Sequence, residues 1–403
     1  MSFRRDTEHG DRNGIGHEGG GRRPKVCVVG SSQRFLSGIS NYTHEVAIAL
    51  SDRFAISVIL MRQLIPTRFY PGKTRVGQNL SILEYPTKIH VFDGVDWFWG
   101  STLLRSLRFL RSESPDFVIL EWWTGAVLHT YLVLAVAARL LGARIVIEFH
   151  EVQDVGELQI PLVGRYVSLA FPLLLRMASG SIVHSEHDRI ALQKRFGADL
   201  GNIATFPHAP YGFFGPSPDR VAVSEPSEVT QLLSFGVIRP FKGVDDLIAA
   251  FNGLSSSDAH RFHLTIVGET WEGFDVGPLV ESSPYRDQIT FVNRYVHDHE
   301  LSGYLERSDA VVLPYHRSSS SGPLCLTMGV GLPVIVSRVG GLIEAAEDYD
   351  GTIFVEPRNV DDLRRALVQV ESLRGQRFES KGSWLRTADA IADLLSSISV
   401  AAA

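Results

Sequence analysis

The chain has 403 residues, of which 44% are hydrophobic, and this is enough apolar material for two domain cores of ordinary size. Its formal net charge of −6 argues against a nucleic-acid-binding protein that relies on bulk positive charge. The two cysteines, Cys27 and Cys325, each lie in an apolar segment. They predict a reducing compartment and provide neither a disulfide framework nor a cysteine-based zinc site.

The N-terminal residues 1–23 are rich in Gly, Arg, Asp and Glu and contain no apolar core. They predict a disordered tail rather than a signal peptide. The longest apolar stretch, residues 126–147, is interrupted by a histidine, a glycine and two arginines, and therefore predicts a buried helix and a strand instead of a membrane span.

Strand-like runs alternate with helical patterns through the first half. The predicted strands are residues 25–30, 55–60, 117–120, 144–149 and 181–185. This rhythm predicts a parallel sheet covered on both faces. Gly38 lies where the loop after the first strand approaches a helix, so its missing side chain could admit a phosphate or a sugar. A plain turn glycine explains the local sequence equally well.

Two predicted strands end in residues suited to chemistry. His150 and Glu151 follow one strand, and ligands of open α/β sheets gather at the carboxyl ends of strands. The histidine could donate a hydrogen bond or exchange a proton, or it could only satisfy backbone groups. Trp122 and Trp123 end another strand and could stack on an acceptor sugar, with core packing as the alternative.

A polar, proline-bearing segment, residues 212–229, separates the two halves and predicts a domain boundary. We therefore expect an N-terminal domain at residues 24–215 and a C-terminal domain at 230–380. Residues 381–403 form a helix and tail. The second half repeats the alternation, with predicted strands at residues 232–235, 262–267, 289–291, 310–313, 334–336 and 352–355.

The stretch LLSFGVIRPFKGVDDLIAAF, residues 232–251, predicts an anion site. It reads as a strand, a glycine turn that carries Arg239 and Lys242, and a new helix. Amide groups and the helix dipole at such a start favour negative charge. The alternative is an ordinary basic loop. A second site for a phosphate or a hydroxyl group is predicted where a small-residue helix begins, after four serines, the last being Ser321, and Gly322. We call this site the cradle.

The run His297, Asp298, His299 and Glu300 has the composition of a metal site. Adjacent ligands on an exposed turn rarely converge, however, and Asp298 is a good N-cap for the next helix. We therefore predict no metal there.

Taken together, the motifs G-x-x-R-P-F-K-G, VGE, SGPLCLTMGVGLPVIVSRVGGLIE and GTIFVEP resemble the retaining glycosyltransferases of the GT-B fold, family 4, formerly group 1. The resemblance implies an α/β fold of two doubly wound Rossmann-like domains that face each other across a cleft, with the C-terminal helix returning to the N-terminal domain. It implies a nucleotide-sugar donor on the C-terminal domain, an acceptor on the N-terminal one, retention of configuration, and no metal cofactor.

The resemblance also assigns roles to single residues. Lys242 matches the lysine that contacts the donor diphosphate, and Arg239 replaces the arginine usually found where this chain has Val237. Gly38 matches the second glycine of the N-terminal loop, although Ser37 stands where the first glycine often is. His150 matches the histidine near the reaction centre.

The same motifs predict a nucleotide-binding side that involves Gly268, Tyr295 and Val296, although Arg294 occupies a usual glycine. The largest departure concerns two family glutamates, which hold the donor sugar and the ribose and align with Ser318 and Leu326.

Three alternatives to a glycosyltransferase follow from these departures. A non-catalytic nucleotide-sugar-binding relative would tolerate the missing acidic pair, whereas an epimerase of the same fold would need acidic groups around the sugar. An NAD-dependent oxidoreductase would need G-x-G-x-x-G after the first strand, and GSSQRFLSG lacks that spacing.

The expected acceptor is a glycan, a glycolipid or a lipid-linked molecule, and the expected location is the cytoplasm or the inner membrane face. Arg105, Arg108 and Arg111 recur on one side of a predicted helix, with Trp97 and Trp99 nearby. A basic amphipathic helix beside aromatic residues can bind an anionic membrane, although an ordinary surface helix is the alternative.

Overall fold

The computed structural model describes residues 22–32, 37–63, 83–96, 99–152, 161–197, 202–212, 229–271 and 273–400. Most of the predicted tail, Trp97 and residues 213–228 of the predicted boundary lie outside these ranges.

The N-terminal half forms a parallel sheet of seven strands in the order β3-β2-β1-β4-β5-β6-β7. The strands are β1 Lys25–Ser31, β2 Ala55–Gln63, β3 His90–Asp96, β4 Phe117–Trp122, β5 Arg144–Phe149, β6 Ala178–Val183 and β7 Asn202–Thr205. The helices are α1 Ser37–Leu50, α2 Gly100–Glu113, α3 Leu128–Leu140, α4 Pro161–Met177 and α5 Glu186–Phe196, with a 3₁₀ turn at Gly125–Val127.

Alternating side chains of the strands pack into two hydrophobic cores, one on each face of the sheet. Val26 and Val28 of β1 pack with α1 on one face, whereas Cys27 and Val29 pack with α2, α3 and α4 on the other. This division follows from the two-residue period of a strand. It confirms the prediction of a parallel sheet covered on both faces.

The C-terminal half forms a second parallel sheet of six strands in the order β10-β9-β8-β11-β12-β13. Its strands are β8 Thr230–Phe235, β9 Phe262–Val267, β10 Ile289–Val292, β11 Ala310–Leu313, β12 Val334–Ser337 and β13 Thr352–Val355. Its helices are α6 Val244–Asn252, α7 Ser256–Ala259, α8 Gly277–Glu281, α9 Asp298–Glu306, α10 Gly322–Gly329, α11 Gly341–Ala346 and α12 Val360–Gln369, with 3₁₀ turns at Pro240–Lys242, Arg286–Gln288 and Val370–Leu373.

The last helix, α13 Trp384–Val400, packs on the N-terminal half. Trp384 Nε1 donates to the Pro210 carbonyl at 2.9 Å, and Arg144 Nη1 donates to Ser399 Oγ at 3.0 Å. One side of the helix is buried against α1, β6 and β7, with Ala388, Ile391, Leu394, Leu395 and Ile398. The predicted return of the C-terminal helix is therefore confirmed.

Each sheet changes strand order beside its first strand, between β1 and β4 in one half and between β8 and β11 in the other. Ligands of open α/β sheets bind in the crevice outside such switch points. The fold therefore directs attention to the carboxyl ends of both sheets. None of the helices in the described ranges is long and apolar enough to cross a bilayer.

Candidate active site between the two domains

A cavity of about 930 Å³ lies between the two halves. The N-terminal half contributes Glu151 and Val152 after β5, together with side chains from α4 and α5. The C-terminal half contributes the turn that carries Arg239 and the segments after β11 and β12, which include Ser318, Ser319 and Gly340. Its volume is within the range of sites that hold small molecules and cofactors.

Two helix N-termini face each other beside this cavity. α1 begins at Ser37 in one half, and α10 begins at Gly322 in the other. A Cβ built on Gly322 would lie 3.7 Å from the Gly38 Cα, while one built on Gly38 would meet nothing within 4 Å among the described residues. The predicted residues Gly38 and Gly322 are therefore close to each other, and because helix N-termini attract anions, the two helix starts favour negative charge near the cavity.

Ser321 stabilises the start of α10. It is the N-cap of α10, and its hydroxyl accepts from the Leu324 amide at 3.2 Å. The cap holds the start of α10 in place, and the Ser321 hydroxyl already satisfies one of the helix amides. Ser321 therefore positions the predicted cradle through the backbone.

The cationic turn has the predicted organisation. Residues 240–242 form a 3₁₀ turn after β8, and Gly243 then caps α6. The Arg239 guanidinium lies 4.9 Å from the Phe241 ring centroid, and Arg239 lines the cavity. Lys242 instead has its Nζ 3.7 Å from the ring centroid of Tyr315. The ring therefore holds this ammonium through a cation–π contact.

The sequence interpretation missed several charged residues of the cavity. Arg317 also lies over Phe241, with its guanidinium 4.5 Å from the ring centroid. Lys194 and Arg195 of α5 line the same cavity from the N-terminal half. These residues carry no motif of their own, and only the facing of the two halves brings them near Arg239. The lining therefore has four cations, which suits an anionic ligand.

The missing acidic pair is explained only in part. Ser318 lines the cavity and donates its hydroxyl hydrogen to the Ser320 carbonyl at 2.7 Å. Leu326 is buried within α10. The acidic residues that line the cavity are Glu151 and Asp188, both from the N-terminal half. Burial raises the pKa of Asp188. The carboxylates of this cavity thus come from the N-terminal half, whereas the resemblance places the acidic pair on the C-terminal half.

The predicted nucleotide-binding residues lie at the ends of two neighbouring strands. Gly268 directly follows β9, where a Cβ would lie 1.9 Å from the Gly236 carbonyl oxygen, so glycine is required sterically. Tyr295 and Val296 follow β10 and are half-buried. The arrangement places all three at the carboxyl edge of the second sheet, and their contact with a nucleotide stays a prediction.

His150 is buried beneath the cavity. Its ring packs edge-on against Tyr42 at 4.5 Å between centroids, and its Nδ1 lies 3.3 Å from His208 Nε2. His184 stacks on it at 5.1 Å, while His184 Nδ1 donates to the Phe206 carbonyl at 3.3 Å. The main-chain oxygen of His150 accepts from Ser320 Oγ at 3.5 Å, which links this cluster to the other domain.

Burial keeps the three histidines neutral. It lowers the pKa of His184 to about 3 and holds the pKa of His150 and His208 well below the usual 6.5, with neighbouring histidines adding to the effect. Among the described residues, the Nε2 of His150 has no hydrogen-bond partner. His150 can therefore accept or donate a hydrogen bond as a neutral imidazole, and its catalytic role stays a prediction.

A buried carboxyl pair lies next to the histidines. Glu121 and Glu148 are register partners on β4 and β5 and have no exposed surface. Tyr42 donates to Glu148 and Thr43 donates to Glu121, each at 2.5 Å. Burial raises the pKa of Glu148 to about 7. Burial and the nearby Glu148 charge raise that of Glu121 well above its usual value.

Trp122 and Trp123, the predicted acceptor residues, are both buried. Trp122 packs against Phe171 at 4.3 Å between ring centroids, and Trp123 packs edge-on against Tyr131 at 6.4 Å. These contacts fit the core-packing alternative, and an acceptor role stays a prediction. Of the acceptor residues proposed from sequence, Glu151 lines the cavity.

Three groups of side chains in the described ranges have ligand atoms close enough to hold a metal ion. Two of them share His150, one with His184 and His208 and the other with Glu121 and Glu148. The third is Asp245, Asp246 and His316, where His316 Nε2 lies 2.8 Å from Asp246 Oδ2. In the run at residues 297–300, Asp298 is the first residue of α9 and His297 is the N-cap, one residue earlier than expected.

The buried cluster predicts an acid-sensitive stability. The histidines stabilise the fold above pH 6.5 and lose this contribution as the pH falls, because only the unfolded chain then binds the protons. The glutamates have the opposite effect on the free energy of unfolding. Glu148 stays protonated in the folded protein up to about pH 7, so its contribution to stability is lost as the pH rises. Each unmatched proton changes the free energy of unfolding by about 1.4 kcal/mol per pH unit.

Two substitutions should therefore change the pH slope between pH 5 and 6 in opposite directions. His184→Asn should make the free energy of unfolding fall less on acidification, and Glu148→Gln should make it fall more, each by about 1.4 kcal/mol per pH unit. Urea unfolding at several pH values measures the slope. Equal slopes in all three proteins would contradict neutral burial of these groups.

Comparisons with known proteins agree with this geometry. The family model described as "Glycosyl transferases group 1" matches residues 218–382. The chain is 25% identical over 363 residues to a protein named glycogen synthase from Mycobacterium tuberculosis (strain H37Rv), covering 83% of this chain and 82% of that protein. It is 33% identical over 106 residues to GDP-mannose:glycolipid 4-beta-D-mannosyltransferase of Xanthomonas campestris, covering 26% of this chain and 29% of that protein.

Solved structures share the fold. The catalytic domain of starch synthase IV from Arabidopsis thaliana, bound to ADP and acarbose, superposes with a TM-score of 0.64 at 13% identity over 93% of this chain and 99% of that one. HepE of Anabaena in complex with UDP-glucose gives 0.60 at 16% identity over 93% and 99%. With the two Rossmann-like sheets, these superpositions show a GT-B fold, and residues 218–382 match the group 1 glycosyl transferase family.

Proposed function

We propose that this glycosyltransferase moves a sugar from a nucleotide-sugar donor to a glycan, glycolipid or lipid-linked acceptor, with retention of configuration and without a metal ion. Residues 230–380 would bind the donor and residues 24–215 the acceptor, in the cytoplasm or at the inner membrane face. The observation that carries the proposal is the cavity between the halves, which four cations line beside two facing helix N-termini.

The donor diphosphate would lie in the cavity, near the adjacent helix starts at Gly38 and Gly322. Amides at the start of α10 and the guanidinium groups of Arg239 and Arg317 are fixed in place by caps and ring stacking. Such preorganised donors stabilise the negative charge that grows on a departing diphosphate. This set of groups supplies that stabilisation without a metal ion, which supports the metal-independent form of the proposal.

The reaction also needs an acceptor hydroxyl held on the same face of the sugar as the leaving group. His150 follows β5 on the acceptor side, and Ser320 of the donor side bonds its carbonyl. Its neutral ring can hold a sugar or acceptor hydroxyl without forming a covalent bond to it. This position supports a positioning role in the transfer step.

The relatives support a nucleotide-sugar donor but differ in its base. One similar protein is named for GDP-mannose, and two similar structures hold UDP-glucose and ADP. A non-catalytic nucleotide-sugar-binding relative and an epimerase of the same fold remain the competing functions. Transfer to an added acceptor separates the first from a transferase, and a changed sugar still attached to its nucleotide identifies the second.

Arg239→Ala and Lys242→Ala should each weaken binding of the donor, because a charge-assisted hydrogen bond to a phosphate contributes about 1.5–3 kcal/mol. The expected loss is about tenfold to a hundredfold. Calorimetric titration with UDP-glucose, GDP-mannose and ADP-glucose measures it. Arg365→Ala, an exposed arginine on α12, is the matched control and should bind as the wild type does. Unchanged affinity in both test variants would remove the cationic turn from the donor site.

His150→Ala should lower turnover by about a hundredfold or more while donor affinity stays nearly intact, since Arg239 and Lys242 belong to the other domain. A strand-end residue with only a structural role would instead lower the melting temperature and leave the turnover of the folded fraction unchanged. Turnover, donor affinity and melting temperature measured on one preparation decide between these outcomes.

Turnover should persist in the presence of a chelator, because cations and helix dipoles stabilise the leaving diphosphate. The assay compares the rate of transfer with and without EDTA after dialysis. Activity that disappears with EDTA and returns on adding a divalent cation would contradict the proposal and would direct attention to Asp245, Asp246 and His316.

A further inference from the structure

Helix α4 exposes a row of large apolar side chains to solvent. Leu162 is 77% exposed and Leu169 is 79% exposed, with Tyr166 and Leu173 between and after them at 38% and 50%. Their spacing of four, three and four residues places them on one side of the helix. A row of this kind on a soluble domain marks an interaction surface.

The neighbouring helix extends the row. α3 packs beside α4, and Arg139 Nη1 donates to the Met177 carbonyl at 3.0 Å, so the ends of the two helices are joined. Leu140 at this end is 83% exposed, and Val136 one turn earlier is 49% exposed. We call the six residues Val136, Leu140, Leu162, Tyr166, Leu169 and Leu173 the apolar surface.

The helices that carry the apolar surface, and α2 packed beside them, are rich in positive charge. Helices α2, α3 and α4 contain one acidic residue, Glu113, and six exposed arginines, which are Arg105, Arg108, Arg111, Arg139, Arg165 and Arg176. The chain as a whole has a net charge of −6, so this excess of positive charge is local. Apolar side chains next to arginines are complementary to an anionic lipid surface, where lipid tails meet negative headgroups.

A second copy of this chain is the alternative to a lipid surface as the partner of the apolar surface, and it fits poorly. A twofold contact would place the arginine-rich helices of one copy against those of the other, because each copy uses the same patch. The three helices offer one carboxylate to compensate six guanidinium groups. Repulsion between like charges therefore opposes self-association through this surface.

The same helix also borders the active-site cavity. Gly164 and Ser168 of α4 line the cavity, whereas Leu162 and Leu169 lie on another side of the helix. A bilayer in contact with the leucines would thus lie within one helix diameter, about 10 Å, of the cavity. For a lipid-linked acceptor held in that bilayer, only the polar head would need to enter the cavity.

We propose that the apolar surface inserts into the interface of an anionic bilayer and presents the head of a lipid-linked acceptor to the cavity. The acceptor part rests on the proposed function, whereas insertion does not. Sequence reasoning placed membrane contact on α2 alone. In the structure, Arg105, Arg108 and Arg111 are exposed beside α3, but Leu110 is buried and Leu104 is the exposed leucine of that helix.

The first experiment is flotation of the full chain with vesicles of phosphatidylcholine and phosphatidylglycerol. The double substitution Leu169→Gln with Leu173→Gln should weaken vesicle binding more than about tenfold, because two apolar side chains no longer enter the lipid. The matched control is Leu279→Gln with Leu385→Gln, which changes exposed leucines of α8 and α13 and should leave binding unchanged. Vesicles of phosphatidylcholine alone should bind the wild type more weakly.

A second readout locates the contact directly. Cys27 and Cys325 are buried, and burial raises the pKa of each to about 12, so a thiol-reactive fluorophore selects a new exposed cysteine. The fluorophore on Leu169→Cys should shift to the blue with anionic vesicles and be quenched by spin-labelled lipids. The same fluorophore on Leu385→Cys should respond to neither.

Two results would overturn the inference. One is equal vesicle binding by wild type and the Leu169→Gln, Leu173→Gln variant. The other is a dimer of the wild type, absent in that variant, together with no binding to anionic vesicles, since a second copy would then cover the surface. Binding of UDP-glucose, GDP-mannose or ADP-glucose is measured in parallel. Failure of all three to bind, with vesicle binding intact, would count against the proposed function alone.

Discussion

The close approach of the two backbones at the domain contact is the constraint on which the rest of the site depends. A Cβ built on Gly329 of α10 would lie 2.0 Å from the Tyr211 carbonyl oxygen, so the chain leaving the first sheet fits only against a glycine. Tyr211 also donates its amide hydrogen to the Cys325 carbonyl at 3.3 Å and its hydroxyl hydrogen to the Gly38 carbonyl at 3.2 Å. One residue thus fixes the start of α1 against α10, and the two helix N-termini lie next to each other because of it.

The sequence predicted those parts of the fold whose signal is local. Runs of β-branched residues located most strands of both sheets to within a few residues. Strand β3, His90–Asp96, was missed because polar residues and Gly94 interrupt it, and an edge strand needs no continuous apolar run. The glycine turn with Arg239 and the serine-capped start of α10 were recognised because a strand followed by a helix start has a sequence signature.

Residues that act through tertiary contact could not be predicted. His150, His184 and His208 follow three different strands, and only the order β5-β6-β7 brings them together. The cavity residues Lys194 and Arg317 come from opposite domains, so no spacing in the sequence joins them. Periodicity also cannot tell which apolar side of a helix is buried. The exposed leucines of α4 were for this reason invisible until the packing of α3 and α4 was known.

The return of α13 to the first sheet has a mechanical consequence. The polypeptide passes from one domain to the other twice, once between β7 and β8 and once just before Trp384. The two covalent connections restrict the relative motion of the domains. Rotation about the line that joins the two connections remains possible, whereas sliding and separation are opposed. Substitutions among the seventeen residues of this helix would therefore first destabilise the N-terminal sheet that they cover, although they follow the C-terminal domain in the chain.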